Sequence, residues 1–400
     1  MSVLSDRIRN LSESATLEMA RKSRELKAKG IDVINLSIGE PDFNTPACIK
    51  EAAIKAIHQN FTHYTPVSGT MELREAISGK LKKENNLDYS PQQIVVSNGA
   101  KQSITNAILC LVNPGDEVIV PSPYWVSYPE MVKLAEGKMV EIKATIHQDF
   151  KITPEQLEKA ITPRSKAFLF SSPCNPSGSV YSRDELHALA KVMARHENLY
   201  IISDEIYEYI NYTGRHESIA QFDFIKERVI VINGVSKGYA MTGWRIGYMA
   251  ANIEIAKACD KLQGQTTSGP SSISQQACVT AINTVDCVST EVSEMVAAFR
   301  ERRELVMEKL NRMPGIKPNS AAGAFYFFPN ISYYFGKSNG SYTINNDSDF
   351  CLYMLDKAHV AIVPGEAFGN ANCVRLSYAT SKEKLMEAME RMESALAELK

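Results

Sequence analysis

A single lysine, Lys237, stands among small and apolar residues in the stretch VSKGYAMTGWRIGY, and Arg245 follows it in the same stretch. The residues on either side, RVIVING and IGYMAA, have the pattern of buried strands, so the lysine lies where two interior strands meet. Burial disfavours the charged ammonium and leaves more of the neutral amine. A neutral amine is a nucleophile and can form a Schiff base with an aldehyde.

Other polar side chains follow neighbouring apolar runs. Asp204 and Tyr207 come after LYIIS, Asn175 after KAFLFSSP, and Trp125 after DEVIVPSP. Ligands of open parallel sheets bind outside the carboxyl ends of the strands, so these side chains should share one site. Asp204 is the most telling of them, because a buried charge needs a partner. Taken singly, Asn175 fits an ordinary turn and Trp125 an ordinary core position at least as well.

The residues after QIVVS favour a phosphate group. Gly99 and Ala100 open a helical pattern, and the N–H groups of Ala100 and Lys101 at its start would attract an anion. Small residues at such a turn more often serve packing, so this signal is weak alone. Arg245 and the hydroxyl of Ser236 would add donors.

One cofactor, pyridoxal 5'-phosphate, accounts for all of these groups. Its aldehyde suits Lys237, and a carboxylate such as Asp204 keeps the pyridine nitrogen protonated, which makes the ring an electron sink. Tyr207 and Asn175 can donate to its phenolic oxygen, and Trp125 can stack on the ring. The phosphate would be held by Ala100, Lys101, Ser236 and Arg245.

Composition narrows the class of protein. The chain has 400 residues, 44% of them hydrophobic, with a net charge of −2, which favours globular domains and gives no broad basic surface for nucleic acid. The eight cysteines form no C-x-x-C pair, and the seven histidines lack metal-ligand spacing, so we expect buried thiols and no metal site. The N-terminus is polar, and no apolar run approaches the ~18 residues of a membrane span, so we expect a cytoplasmic protein.

The order of elements predicts an α/β fold. Six apolar runs alternate with amphipathic patterns, which favours an open, mostly parallel sheet. Ser182 and Glu185 form a capping box, and Thr153 and Pro154 begin another helix. Helices are also predicted from about 289 to 313 and along the C-terminal tail, and residues 329–349 are predicted to form an exposed loop or lid.

The chain resembles the class I aminotransferases, which are fold type I pyridoxal-phosphate enzymes, most closely the bacterial aspartate aminotransferases of the subgroup that includes prephenate aminotransferases. The motifs occur in order over nearly the whole chain: GEPDF, YTPVSG, NGAKQ, PSPYWVSYPEM, NPSG, SDEIYE, SKGYAMTGWRIGY and RLSYA. The resemblance implies a large cofactor-binding domain at 47–288, with a mostly parallel sheet. It also implies a smaller α/β domain built from 1–46 and 289–400.

The resemblance also implies residue roles. Lys237, Asp204 and Tyr207 would be catalytic, and Tyr64 would reach the phosphate in the partner subunit of a homodimer. Lys101 would face the distal carboxylate of a dicarboxylic substrate, and Arg375 would clamp the α-carboxylate. The implied substrate-binding set is Gly39, Lys101, Trp125, Asn175 and Arg375.

The implied activity is that of a transferase in amino acid metabolism, which moves the amino group of L-aspartate to 2-oxoglutarate by ping-pong kinetics. Alternatives are a glutamate/aspartate-prephenate or aromatic aminotransferase, and a carbon–sulfur lyase with the same cofactor. A non-catalytic regulator is disfavoured because Lys237 is present, and a nicotinamide dehydrogenase because no G-x-G-x-x-G follows the first strand. Two departures from the family pattern are Gly234, where many relatives have a phosphate-binding serine, and Ser12, where prephenate-active relatives often have a basic residue.

Overall fold

The computed structural model describes residues 3–283, 285–340 and 342–400, without the side chains of 285–287. Thr284, in the predicted large domain, and Ser341, in the predicted loop, lie outside the described residues. The helices are α1 Asp6–Arg9, α2 Ala15–Ala28, α3 Ala47–His58, α4 Met71–Asn85, α5 Ala100–Leu111, α6 Tyr128–Leu134, α7 Pro154–Ala160, α8 Arg183–Ala194, α9 Asp223–Lys226, α10 Ile253–Thr266, α11 Ser272–Asn283, α12 Val285–Arg312, α13 Asp347–Tyr353 and α14 Lys382–Ala397. The strands are β1 Ile34–Asn35, β2 Ile94–Ser97, β3 Glu117–Ser122, β4 Lys138–Lys143, β5 Ser165–Ser171, β6 Tyr200–Asp204, β7 Val229–Gly234, β8 Gly247–Ala250, β9 Tyr326–Phe327, β10 Ser338–Asn339, β11 Tyr342–Thr343, β12 Val360–Ala361, β13 Val363–Pro364 and β14 Val374–Ser377.

A seven-stranded sheet forms the centre of the molecule, in the order β2-β8-β7-β6-β5-β3-β4. The strands β7, β6, β5, β3 and β4 pair in parallel, whereas β8 runs antiparallel to both of its neighbours, β7 and β2. The predicted α/β class with a mostly parallel sheet is therefore confirmed. All six predicted apolar runs are strands of this sheet; the edge strand β4 was not predicted.

Alternate residues of each central strand enter different cores, because successive side chains of a strand point to opposite faces. In β7, Val229 and Val231 join one apolar cluster, whereas Ile230 and Ile232 join the other. Both faces of the sheet are covered, which explains why β2, β3, β7 and β8 are buried along their whole length.

Another apolar cluster combines residues from both ends of the chain. It includes Leu36 near β1, Phe299 of α12 and Met389 of α14. In addition, β1 pairs in parallel with β12, so the N-terminal segment is tied to the C-terminal third. This arrangement agrees with a unit built from 1–46 and 289–400, although those boundaries stay a prediction.

The predicted helix starts are confirmed at α7 and α8, where the side chains of Thr153 and Ser182 cap the first turns. The prediction of an exposed loop at 329–349 is only partly right: most of its described residues are exposed or half-buried, but some are not. That segment contains the β10–β11 hairpin, and Tyr334 and Ile344 are buried in the core shared by the two chain ends.

No helix in the described part of the chain is long and apolar enough to cross a membrane. Cys48 is disulfide-bonded, contrary to the expectation of free thiols throughout.

Candidate active site

A cavity of about 320 Å³ lies where β2, β3, β5, β6 and β7 end. Five different strand-to-loop connections contribute residues to it, because parallel strands end at the same edge of a sheet. Of the residues singled out from the sequence, those that line it are Gly39, Ala100, Lys101, Trp125, Asn175, Asp204, Tyr207, Ser236, Lys237, Arg245 and Arg375. Tyr64 does not line it and is 99% exposed.

Lys237 follows β7, and its amine faces the cavity. Lys237 Nζ donates to the carbonyl oxygen of Gly39 at 2.6 Å and lies 5.9 Å from the centre of the Tyr207 ring. Burial lowers the pKa of Lys237 to about 8, and although the carboxylate of Glu40 opposes this, the charges of Arg375 and Arg245 reinforce it. Near neutral pH, a useful fraction of this amine is therefore uncharged.

Asp204 is the last residue of β6 and is buried. Tyr128 Oη donates to its carboxylate at 2.7 Å, and the N–H group of Ile206 donates at 3.3 Å. Burial raises the pKa of Asp204 to about 6, against the opposing effect of the Tyr128 hydrogen bond. The carboxylate is therefore ionised above about pH 6 and can hold a cationic partner.

Arg375 lies in β14, is buried, and is fixed on several sides. Its guanidinium donates to the carbonyl oxygen of Ser37 at 2.6 Å and to Asn175 Oδ1 at 3.0 Å, and it lies 4.7 Å from the centre of the Tyr326 ring. Its Nε has no hydrogen-bond partner within the described protein. A buried guanidinium with an unused donor beside a cavity is suited to bind a carboxylate.

Tyr207 and Tyr326 form a pair on one wall of the cavity. Their hydroxyl oxygens are 2.7 Å apart, and their rings meet edge to face. Gly39 packs against this pair, since a Cβ at that position would lie 2.3 Å from Tyr326 Oη. The absence of a side chain at Gly39 thus lets the N-terminal segment approach both Tyr326 and Lys237.

The start of α5 and Arg245 form the anion-binding corner. Gly99, with φ +85°, precedes α5, and a Cβ on it would lie 2.3 Å from the guanidinium of Arg245. Arg245 itself has φ +58° and donates to the carbonyl oxygen of Thr242 at 2.8 Å. The guanidinium of Arg245 therefore lies beside the start of α5, where the first-turn N–H groups are free of helical partners, an arrangement that suits an anion.

Gly234 has a packing reason to lack a side chain. A Cβ there would lie 2.8 Å from Gly247 Cα and 2.8 Å from the carbonyl oxygen of Ile246. Gly234 and Gly247 are paired residues of β7 and β8. A serine side chain at 234 would therefore not fit this close approach of the backbone.

Lys101 and Thr16 also line the cavity. Lys101 Nζ lies 4.8 Å from the centre of the Trp125 ring. Burial lowers the pKa of Lys101, and the charge of Arg245 lowers it further. The hydroxyl of Thr16 is buried without a hydrogen-bond partner in the described protein. These two groups could bind a second anionic group of a ligand.

Sequence reasoning missed three residues with a clear place in the site, namely Tyr128, Tyr326 and Thr16. Tyr128 lies in the motif PSPYWVSYPEM and follows the predicted Trp125 by less than one helical turn, so its position gave a signal. Tyr326 lies in β9, in the apolar cluster built from both ends of the chain, and Thr16 lies in α2. Nothing in the local sequence of either residue links it to the sheet. Among the described residues, no cluster of three or more metal-ligating side chains occurs.

The sheet and its cavity define an α/β enzyme. Its site contains a reactive amine and suits a small anionic substrate. The sequence matches the family of class I and II aminotransferases over residues 31–392. That match covers most of the chain, and the protein therefore belongs to this family of aminotransferases.

Individual relatives agree with the family assignment. The chain is 48% identical to the bifunctional aspartate aminotransferase and glutamate/aspartate-prephenate aminotransferase of Petunia hybrida, over 99% of this chain and 83% of that protein. It is 46% identical to the aspartate/prephenate aminotransferase of Nitrosomonas europaea, over 98% of this chain and 100% of that protein.

Solved structures show the same fold. The aspartate aminotransferase of Rhizobium meliloti superposes with a TM-score of 0.96 at 43% identity, covering 100% of both chains. The aspartate aminotransferase of Thermus thermophilus with maleate superposes with a TM-score of 0.93 at 40% identity, covering 99% of this chain and 100% of that chain.

Proposed function

We propose that the protein is an aspartate aminotransferase that transfers the amino group of L-aspartate to 2-oxoglutarate with pyridoxal 5'-phosphate as cofactor. The observation that carries the proposal is the meeting of a low-pKa amine, a buried carboxylate and a buried guanidinium in one cavity: Lys237, Asp204 and Arg375. The names of the relatives supply the substrate class.

The donor set fits pyridoxal phosphate. Asp204 would hold the pyridine nitrogen, Asn175 and Tyr207 the phenolic oxygen, and Trp125 the face of the ring. The phosphate would lie at the start of α5, among Ala100, Lys101, Ser236 and Arg245. When bound, the cofactor supplies an aldehyde for amine exchange and a ring that withdraws electrons from the substrate Cα.

Lys237 would serve as the covalent anchor and as the general base. Its lowered pKa leaves part of the amine neutral near pH 7, so it can accept a proton from the substrate Cα. The carbonyl of Gly39 holds the amine toward the cavity, which limits the orientations that it must lose on reaction.

Arg375 would clamp the α-carboxylate. The carbonyl of Ser37, the amide of Asn175 and the ring of Tyr326 fix the guanidinium before substrate arrives, which makes it a preorganised partner. Lys101 and the unpaired hydroxyl of Thr16 would bind the distal carboxylate. The maleate in the Thermus thermophilus structure is likewise a dicarboxylate, which supports a dicarboxylic substrate here.

Prephenate is a second candidate amino acceptor. A cavity of about 660 Å³ shares Lys101 and Val126 with the first and offers room for a larger substrate. The names of the plant and Nitrosomonas relatives include prephenate. Against it, Ser12 has no cationic side chain, and its N–H group is bonded to Glu130. We therefore rank aspartate and 2-oxoglutarate first.

A panel of donors and acceptors tests the activity. Holoenzyme with L-aspartate and 2-oxoglutarate should form oxaloacetate and L-glutamate in equal amounts, and replacing 2-oxoglutarate with prephenate should give a slower reaction. Activity with prephenate but none with 2-oxoglutarate would overturn the ranking. Pyruvate formed from cystathionine without any oxo acid would instead indicate a carbon–sulfur lyase.

We also propose a homodimer with shared sites. Tyr64 is fully exposed and does not line its own cavity, and the preceding helix α3 exposes Ile54 and Ile57, as expected of a surface that a second copy covers. Mixing inactive Lys237→Ala with impaired Tyr64→Ala should restore up to about a quarter of wild-type activity, because each mixed dimer has one unaltered site. No recovery would contradict sharing. The cytoplasmic location remains a proposal, which cell fractionation tests.

A further inference from the structure

The loop between β7 and β8 carries two residues of the site, Lys237 near its start and Arg245 near its end. Within this loop, Ala240 has φ +49° and Arg245 has φ +58°, in the left-handed region that residues with a side chain rarely adopt. Such backbone conformations cost free energy and persist only where surrounding contacts hold them. The contacts that hold this loop therefore determine where the amine and the guanidinium lie.

One side chain from outside the loop contacts it at the first of these positions and beside the second. Thr45 Oγ1 donates to the carbonyl oxygen of Ala240 at 2.7 Å. Trp244, which precedes Arg245, donates from its Nε1 to the same hydroxyl at 3.0 Å. A hydroxyl can donate and accept at the same time, so the two hydrogen bonds are compatible. Thr45 thus bridges residues 240 and 244 of the loop.

We propose that Thr45 is a positioning residue for the cofactor, whose hydroxyl holds the loop of Lys237 and Arg245 in the conformation that binds pyridoxal 5'-phosphate. This inference rests on the proposed function, because it requires that the cofactor contacts Lys237 and Arg245. Thr45 itself does not line the cavity, so it acts through the loop.

The segment that carries Thr45 contacts the same loop at two further points. The carbonyl oxygen of Gly39 accepts from Lys237 Nζ at 2.6 Å, and the carboxylate of Glu40 accepts from the hydroxyl of Thr242. The first contact uses the amine that must react, and Glu40 is exposed to water. Thr45 instead bonds to a backbone carbonyl and an indole, which the reaction leaves in place. The Thr45 bridge is therefore the contact that can hold the loop throughout cofactor binding.

Spectroscopic titration of the apoenzyme with pyridoxal phosphate tests the proposal. Thr45→Val removes both hydrogen bonds with little change in volume, whereas Thr45→Ser keeps the hydroxyl. We expect the Kd to rise about five-fold or more in Thr45→Val, because one net hydrogen bond corresponds to about that factor, and to stay within about two-fold of wild type in Thr45→Ser. Thr213→Val is the control, since the Thr213 hydroxyl donates to Asn211 in its own turn, and it should bind like the wild type.

The indole N–H group of Trp244 reports the bridge directly and needs no cofactor. The chain has two tryptophans, so isotope labelling of the indole nitrogen gives two N–H signals by nuclear magnetic resonance, and Trp125→Phe identifies the one from Trp244. In the apoenzyme, Thr45→Val should move the Trp244 signal upfield and speed its exchange with solvent, because the N–H group loses its acceptor. Thr45→Ser should leave the signal near its wild-type position. A Trp244 signal that does not respond to Thr45→Val would overturn the proposal.

The titration can also overturn it. Wild-type affinity in Thr45→Val would do so, and so would a Thr45→Ser variant as weak as Thr45→Val, since the methyl group and not the hydroxyl would then matter. If Thr45→Val does not fold, Trp244→Phe decides, because it removes one of the two hydrogen bonds: a raised Kd supports the bridge, and an unchanged Kd overturns it. Wild-type protein that binds no pyridoxal phosphate would overturn the proposed function and this inference with it.

Discussion

The chemistry of the site depends on two single residues whose pKa values are shifted toward each other by the same cause. Burial lowers the pKa of the Lys237 amine to about 8 and raises the pKa of the Asp204 carboxyl to about 6. Between these values Asp204 is ionised, and Lys237 is partly neutral. Near pH 7 to 8 the pocket can therefore stabilise a cationic ring and still offer a nucleophilic amine.

At this scale, Tyr128→Phe should weaken cofactor binding. The Tyr128 hydroxyl donates to the Asp204 carboxylate, so its loss should raise the pKa of Asp204 above about 6 and leave more of the carboxyl protonated at pH 7. A hydrogen bond to a charged group contributes about 1.5–3 kcal/mol, so we expect at least about a ten-fold higher Kd for pyridoxal phosphate at pH 7. The deficit should shrink at pH 9, where Asp204 is ionised in both proteins.

Fluorescence titration of the apoenzyme measures this Kd without turnover. Tyr124→Phe is the matched control, since Tyr124 lies in the same segment and has no hydrogen bond to Asp204. A Kd for Tyr128→Phe that equals the wild-type value at pH 7, or a deficit of the same size at both pH values, would show that the hydroxyl does not tune Asp204.

The residues that sequence reasoning could find are those that follow a strand. Asp204, Asn175 and Lys237 each come shortly after a continuous apolar run, and the common edge of parallel strands brings them together. Thr16 and Tyr326 reach the same cavity only because the chain ends fold over it. That packing leaves no local pattern, so their participation could not be predicted.

At the scale of elements, the start of α5 is held by a close approach to β8. A Cβ on Gly247 would lie 2.1 Å from the N atom of Ala100. Gly247→Ala should therefore push the first turn of α5 out of the anion-binding corner. Overpacking of this kind costs about 1–3 kcal/mol, so we expect the Kd for pyridoxal phosphate to rise about ten-fold or more.

Gly243→Ala is the control for this substitution, because a Cβ at Gly243 would meet nothing within 4 Å. Circular dichroism should show both variants folded, and titration with pyridoxal phosphate should separate them. Equal affinity in Gly247→Ala and wild type would mean that the first turn of α5 does not fix the phosphate.

Elements with a strong pattern were predictable and those without one were not. The capping box at Ser182 and the cap residue Thr153 followed by Pro154 placed α8 and α7 correctly. The edge strand β4 has charged residues at both ends and only partial burial, so it lacks the continuous apolar run of its neighbours. Tyr334 and Ile344 lie within the polar segment at 329–349, and they are buried because other parts of the chain pack on them. The polar residues around them gave no sign of this burial.

At the scale of the whole molecule, one buried ionic cluster joins α4, β7 and the loop after β6. Glu208 contacts the Lys80 amine, accepts from Asn85 Nδ2 at 2.6 Å and accepts from Asn233 Nδ2 at 2.6 Å. Although burial raises the pKa of Glu208, the charges of Lys80 and His216 and the hydrogen bonds lower it to about 2. The cluster ties the elements that carry Tyr207 and Lys237 to the outer helix α4.

This shift predicts how stability depends on pH. A carboxyl whose pKa is lowered in the folded state stabilises the protein above its unfolded pKa of about 4.5. The stabilisation is lost as pH falls from 4.5 toward 2. The free energy of unfolding of Glu208→Gln should therefore be lower than that of the wild type at pH 7, and the gap should narrow by up to about 3 kcal/mol toward pH 2.

Urea unfolding at pH 7, 5, 4 and 3 measures this gap. Glu158→Gln is a suitable control, since Glu158 is also paired but exposed, and its gap should be small throughout. A gap for Glu208→Gln that stays constant across this range would contradict the assigned pKa.

The most direct test of the account is the position at which the cofactor attaches. Holoenzyme reduced with borohydride and digested should give one phosphopyridoxyl-modified peptide, with the modification on Lys237. Lys101→Ala should retain that modification, whereas Lys237→Ala should lose both the modification and turnover. An unmodified Lys237, or a modification found on Lys101 instead, would contradict the central claim that the buried amine after β7 is the reactive group.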